Sequence, residues 1–102
     1  MIKISQDNFE EEVLNSPVPV IADFNADWCG PCKMLKPVLE EIESERSDVK
    51  FVSINIDDED LIAEDYEVFS IPCLIAFKGG KEVARSVGLK PKAAIESFIG
   101  EI

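Results

Sequence analysis

Histidine is absent from this chain of 102 residues. Its absence excludes Cys/His proteolytic catalysis and mixed Cys/His zinc sites, leaving Cys, Asp, Glu, Lys and Tyr to carry any chemistry. Cysteine is scarce: Cys29, Cys32 and Cys73 are too few for a secreted disulfide scaffold. Positive charge is short as well, with 10 Lys and Arg against 21 Asp and Glu and a net charge of -11. Such a surface repels phosphate backbones and anionic membranes, so neither nucleic acid nor membrane is an expected partner. No run approaches the roughly 20 apolar residues of a membrane span, and the stretch from Met1 to Ser5 lacks the apolar segment of a secretory signal. The expected location is cytoplasmic. No repeat, linker or low-complexity tract is visible. With 46% hydrophobic and 30% charged residues, the composition is that of one globular domain, residues 1–102, able to bury a core without disulfide staples.

Two of the three cysteines lie in the run Asp27-Trp28-Cys29-Gly30-Pro31-Cys32-Lys33, between an apolar strand-like segment and an amphipathic helix. An intracellular Cys-x-x-Cys is catalytic or metal-binding more often than structural. A helix N-terminus carries unpaired N–H groups and partial positive charge, so a sulfur placed there is more easily held as the nucleophilic thiolate. Cys29 fits that place. Cys32 lies nearly one turn on, close enough for a disulfide of ordinary Cα separation, so one thiol can attack and the other resolve.

Around this pair the pattern alternates between strand and helix. Ile2 and Ile4 begin a short strand, and residues 6–14 put Phe9, Val13 and Leu14 on one helical face, with Asp7 and Glu10 spaced for a capping box. Residues 18–25 are an apolar run suited to a strand buried on both faces, with prolines only at its start. From Pro31 to about Glu45, Met34, Leu35, Val38, Leu39 and Ile42 recur at helical spacing; Pro31 suits a first turn and Pro37 predicts a kink. Residues 49–56 read as a strand with a slip at Val52-Ser53, and residues 60–66 as a short helix. Residues 73–78 and 82–87 form two antiparallel strands joined at Gly79-Gly80, which supplies the positive φ angles of a tight turn. Residues 91–102 predict a terminal amphipathic helix. The order β-α-β-α-β-α-β-β-α predicts an α/β fold: a central mixed five-stranded sheet flanked by four helices. The acidic runs Glu10-Glu11-Glu12 and Asp57-Asp58-Glu59-Asp60 read as solvated surface.

The segment from Ala22 to Lys33 resembles the active-site segment of the thioredoxin family. Ser70-Ile71-Pro72-Cys73-Leu74 is similar to the family's Ile-Pro-Thr-Leu turn, Phe77-Lys78-Gly79-Gly80 to its hairpin, and Val87-Gly88 to its later glycine, in order along essentially the whole chain. The resemblance implies the thioredoxin fold and a thiol-disulfide oxidoreductase without cofactor or metal. In it Cys29 attacks a target disulfide and Cys32 breaks the mixed disulfide that results. Gly30 and Pro31 between the sulfurs favour an electron-carrying reductant, since oxidising and isomerising relatives usually have histidine beside the second cysteine. Implied partners are a thioredoxin reductase, NADPH-linked or ferredoxin-linked, and disulfide-containing client proteins, met by a monomer. Gly30 allows close approach of a client backbone, Pro31 fixes the turn into the helix, and Trp28 offers an apolar edge beside the attacking sulfur. Ile71, Pro72 and Gly88 match the client-binding positions, Pro72 the family's cis-proline.

Asp23 sits in the apolar run, where an ionised carboxylate is costly and its pKa should rise. By resemblance it is the buried aspartate that assists deprotonation of the second cysteine. The chain departs from the family at three points. Ser53 stands where a buried lysine is common, which leaves Asp23 without that counter-charge. Asn25 replaces a common tryptophan, so packing on the client face is expected to differ. Cys73 replaces threonine, either as a small buried residue or as a third thiol beside the reactive pair. Two other functions fit the same residues: a binding module whose affinity is switched by redox state, and metal or iron-sulfur ligation by Cys29, Cys32 and Cys73.

Overall fold

A computed structural model describes all 102 residues. Strands β1 (Ile2–Lys3), β2 (Val20–Asn25), β3 (Lys50–Asn55), β4 (Cys73–Lys78) and β5 (Lys81–Val87) form one sheet in the order β1-β3-β2-β4-β5. β3 pairs parallel with β1 and β2, whereas β4 pairs antiparallel with β2 and β5. Helices α1 (Gly30–Glu45), α2 (Asp60–Asp65) and α3 (Lys92–Gly100) and a π-helical turn, Glu10–Leu14, complete the β-α-β-α-β-α-β-β-α order. No helix is long and apolar enough to cross a membrane.

Because side chains alternate across a strand, β2 feeds two apolar layers from one run. Val20, Ala22 and Phe24 join Val52, Ile54, Ile75 and Phe77 on the face covered by the π-helical turn and α2. Ile21 joins Phe51, Leu74 and the inward residues Leu35, Leu39, Ile42, Ile95 and Ile99 of α1 and α3 on the other. Burial on both faces explains the slip at Val52-Ser53: Phe51 and Val52 are both buried, facing opposite layers, and only Ser53 breaks the apolar pattern. Phe9, Tyr66 and Phe77 meet edge-on or tilted, with ring centroids 5.2–6.2 Å apart, an arrangement favoured by the ring quadrupoles.

Two local features, both in the first helical segment, differ from the sequence reading. The first helical segment is shorter and π-helical, the Asn15 N–H donating to the Glu10 carbonyl five residues back at 2.8 Å. No Asp7–Glu10 capping box forms; Phe9 precedes the segment, and the chain is instead turned by Asn8, which accepts from the Ser5 N–H at 2.7 Å and donates to the Lys3 carbonyl at 3.0 Å. Pro37 lies inside α1 without ending it, although it offers no N–H to the Lys33 carbonyl. The Gly79-Gly80 turn is as expected, with φ of 61° and 80°. A Cβ on Gly80 would stand 2.9 Å from the Leu14 carbonyl oxygen, so glycine also lets the hairpin abut the π-helical turn.

Candidate active site

The parallel strands β2 and β3 end beside the N-terminus of α1, and the site is built where they meet. Cys29 caps α1, and its Sγ accepts the Cys32 N–H at 3.2 Å, a bond to one of the donors a helix start leaves free. Pro31 occupies the first turn. Cys29 and Cys32 are joined as a disulfide, with Cα atoms 5.3 Å apart. Both are almost enclosed, at 5% and 4% exposure, among Ala26, Ile56 and Ile71. Nothing lies within 4 Å of a Cβ built on Gly30, so the space above the disulfide is open.

Trp28 is no core residue: it is 67% exposed beside the disulfide, its indole N–H donating to Asp57 Oδ2 at 2.8 Å. The Ile71–Pro72 peptide is cis, as the resemblance implied. Ile71 packs on the disulfide, and its N–H and carbonyl take part in no hydrogen bond within the chain. Gly88, at φ 96°, donates its N–H to the Pro72 carbonyl at 2.8 Å. It therefore buttresses Pro72 from β5.

Asp23 is the one buried polar or charged residue of the core, at 2% exposure. Burial pushes its pKa up from 3.8 to about 7, partly opposed by a hydrogen bond from Asn25 and the charge of Lys36. Its Oδ1 has no hydrogen-bond partner. Asp23, Cys32, Asn25, Ser53 and Lys36 line one cavity of about 400 Å³. Ser53 does face Asp23, its register partner on β3. The missing counter-charge is partly replaced by Lys36 of α1, which sequence reasoning did not single out. The Asn25 amide bonds Ser53 Oγ at 2.9 Å and Asp23. Period-two alternation, which puts residues 23 and 25 on one face, was the available signal.

Cys73, a possible third thiol on sequence, packs in a different apolar cluster from Cys29 and Cys32. It is buried in the opposite apolar layer, and desolvation holds its thiol above the usual range. The three cysteines form no ligand cluster.

A disulfide at a helix start, beside a cis-proline and behind it a buried carboxyl sharing a cavity with the second sulfur, on a mixed sheet between helices, defines an α/β thiol-disulfide oxidoreductase. The family model described as thioredoxin matches residues 1–101. A thioredoxin of Chlamydia caviae is 50% identical over 102 residues, covering 99% of this chain and 98% of the relative. One of Chlamydia trachomatis is 48% identical over 98 residues, covering 96% and 94%. One of the red alga Porphyra purpurea is 42% identical over 100 residues, covering 97% and 94%. The chain belongs to the thioredoxin family. Its activity is protein-disulfide reduction by dithiol-disulfide exchange through Cys29 and Cys32, with disulfide-containing proteins as clients.

Proposed function

We propose that the two sulfurs have unequal roles, Cys29 attacking the client and Cys32 resolving. The supporting observation is the asymmetry at the start of α1: Cys29 Sγ accepts a helix N–H, whereas Cys32 lines the cavity that holds Asp23. In the first step the Cys29 thiolate attacks a client disulfide, forming a Cys29–client bond and expelling one client thiolate. Cys32 then gives its proton to Asp23 and attacks Cys29 Sγ, forming the Cys29–Cys32 disulfide and expelling the second client thiolate. Two electrons pass to the client, and the two expelled thiolates take up protons. Trp28, Ile71 and Pro72, buttressed by Gly88, form the client-docking face around the open space over Gly30.

A thioredoxin reductase returns the two electrons, and the 102 residues act as a single monomeric domain in the cytoplasm. With a net charge of -11, the protein favours partners with basic docking rims, so reduction rates fall as ionic strength rises. The decisive experiment is Cys32→Ser against Cys29→Ser, each incubated with a disulfide client. Cys32→Ser accumulates a covalent mixed disulfide and Cys29→Ser does not. The reverse pattern would exchange the two roles. A redox titration of the pair fixes the direction of electron flow, since thioredoxin reductants have potentials of about -270 mV and oxidants lie well above that.

A further inference from the structure

Asp23 Oδ1 is the only buried side-chain oxygen or nitrogen without a hydrogen-bond partner, while the other oxygen of the same carboxyl has one. That partner is the Asn25 amide. Its Nδ2 is 2.9 Å from Ser53 Oγ, 2.9 Å from the Asp23 carbonyl and 3.5 Å from Asp23 Oδ2. An amide nitrogen has two hydrogens for these three acceptors, so the two short bonds fix its orientation and Oδ2 shares a hydrogen with one of them at the limit of hydrogen-bonding distance. The amide is thus held against Oδ2 by groups that do not titrate. Asp23, Asn25, Ser53 and Cys32 line one cavity of about 400 Å³, ample for water between carboxyl and sulfur.

We infer that Asn25 is a positioning residue: pinned by Ser53, its amide keeps a donor within reach of Oδ2 and so holds the Asp23 carboxyl that takes the Cys32 proton. This rests on the reading that Asp23 is the proton acceptor for Cys32. The proton leaves Cys32 Sγ, passes through cavity water to the Asp23 carboxyl and later returns to solvent, while the Cys32 thiolate attacks Cys29 Sγ and expels the client thiolate. A donor already in place stabilises the carboxylate as it forms, which a neutral apolar neighbour would not do. It keeps enough of Asp23 ionised near neutral pH to act as a base.

The other charged or titratable groups around Asp23 are Cys32, Lys33 and Lys36 on α1, Asp27 after β2, and Cys73 on the opposite face of β4. Met1 also lines the cavity, its ammonium paired with Glu43. Asn25→Leu changes none of these charges and keeps roughly the shape of the side chain.

The test is a ¹³C NMR titration of the Asp23 carboxyl in the intact oxidised protein, in Asn25→Leu and in Ser53→Ala, with Asp23→Asn added for the resolution rates. The rate at which Cys32 resolves a Cys29 mixed disulfide is followed against pH in parallel. Asn25→Leu is expected to raise the Asp23 midpoint by roughly half to one pH unit, and the pH midpoint of resolution moves with it. Ser53→Ala, which leaves the amide but frees it to turn, gives a smaller rise. If Asn25→Leu does not fold, Asn25→Ala replaces it. A folded Asn25 variant whose Asp23 midpoint matches the parent overturns the inference. Asp23→Asn separates the two failures. If it slows resolution while the Asn25 variants leave the Asp23 titration unmoved, only the positioning role is lost. If Asp23→Asn leaves the pH profile of resolution unchanged, the proton-acceptor reading falls, and the inference with it.

Discussion

Asp23 and Cys73 are both buried ionisable groups in adjacent register pairs of β2 and β4, Asp23 opposite Leu74 and Phe24 opposite Cys73, and they face opposite sides of the sheet. Cys73 sits among Phe24, Ile75 and Phe77 in a largely apolar layer, where desolvation raises its pKa above the usual thiol value. Asp23 sits where the layer under α1 and α3 gives way to Asn25, Ser53 and a cavity reaching Cys32. Burial raises both pKa values, but it brings Asp23 to about 7 and takes Cys73 further above neutrality, and of the two only Asp23 lines the cavity shared with Cys32. A buried group becomes usable through the space and donors around it; burial alone makes it inert.

The largest expected contrast lies between neighbours on β2. Phe24→Ala empties a fully buried site in the apolar layer and should cost about 3–5 kcal/mol at every pH. Asp23→Asn should do the opposite, in a pH-dependent way. The unfolded chain releases the Asp23 proton near 3.8, whereas the folded protein holds it to about 7. Between those values the folded state alone keeps the proton, so raising pH favours unfolding, and above about 7 the whole penalty stands. Relative to Asp23→Asn, the parent should lose on the order of 4 kcal/mol between pH 4 and pH 8. Denaturant unfolding at both pH values measures it. Parallel stability curves for the two proteins would mean that the two faces of β2 do not differ in this way.

Cys73→Ala should cost about 1–2 kcal/mol through the lost sulfur volume and leave the potential of the Cys29–Cys32 couple unchanged. A shifted midpoint would bring Cys73 into the redox site and erase the contrast between the faces. Ser53→Lys sharpens it from the other side, by putting a cation beside Asp23 on the adjacent strand. Its charge should outweigh the lost Asn25–Ser53 bond and lower the Asp23 midpoint by roughly one unit or more. Identical NMR titration curves for the two proteins would remove the idea that serine at this position keeps Asp23 protonated to higher pH.

The strands, the long helix, the glycine hairpin and the redox pair were legible in the sequence because each is written in local spacing: period two, period three to four, Gly79-Gly80, Cys-x-x-Cys. What escaped depends on register or on competition between close alternatives. Asn25 and Ser53 are 28 residues apart and meet only because β2 and β3 pair in one register, which no local pattern specifies. Lys36 looks like an ordinary solvent-facing helix residue until α1 is docked over the end of β2. The π-helical turn reflects a choice between four- and five-residue hydrogen bonds, and the capping box gives way because Ser5 Oγ takes the Asp7 N–H it would use while Asn8 turns the chain at Ser5.

Lys36 gives the smallest effect and separates two ways of tuning Asp23. Its ammonium lies at the solvent-exposed edge of the cavity and acts on Asp23 by charge alone, while the Asn25 amide acts by a hydrogen bond in the half-buried part. Salt screens the first and hardly touches the second. Lys36→Gln should therefore raise the Asp23 midpoint by a few tenths of a pH unit at low ionic strength, and the difference from the parent should fade by roughly 1 M salt. The Asn25→Leu shift should persist under the same conditions. A Lys36 effect that survives high salt would mean that the ammonium reaches into the cavity and contacts the carboxyl directly, making it a third member of the Asn25–Ser53 arrangement instead of a distant charge.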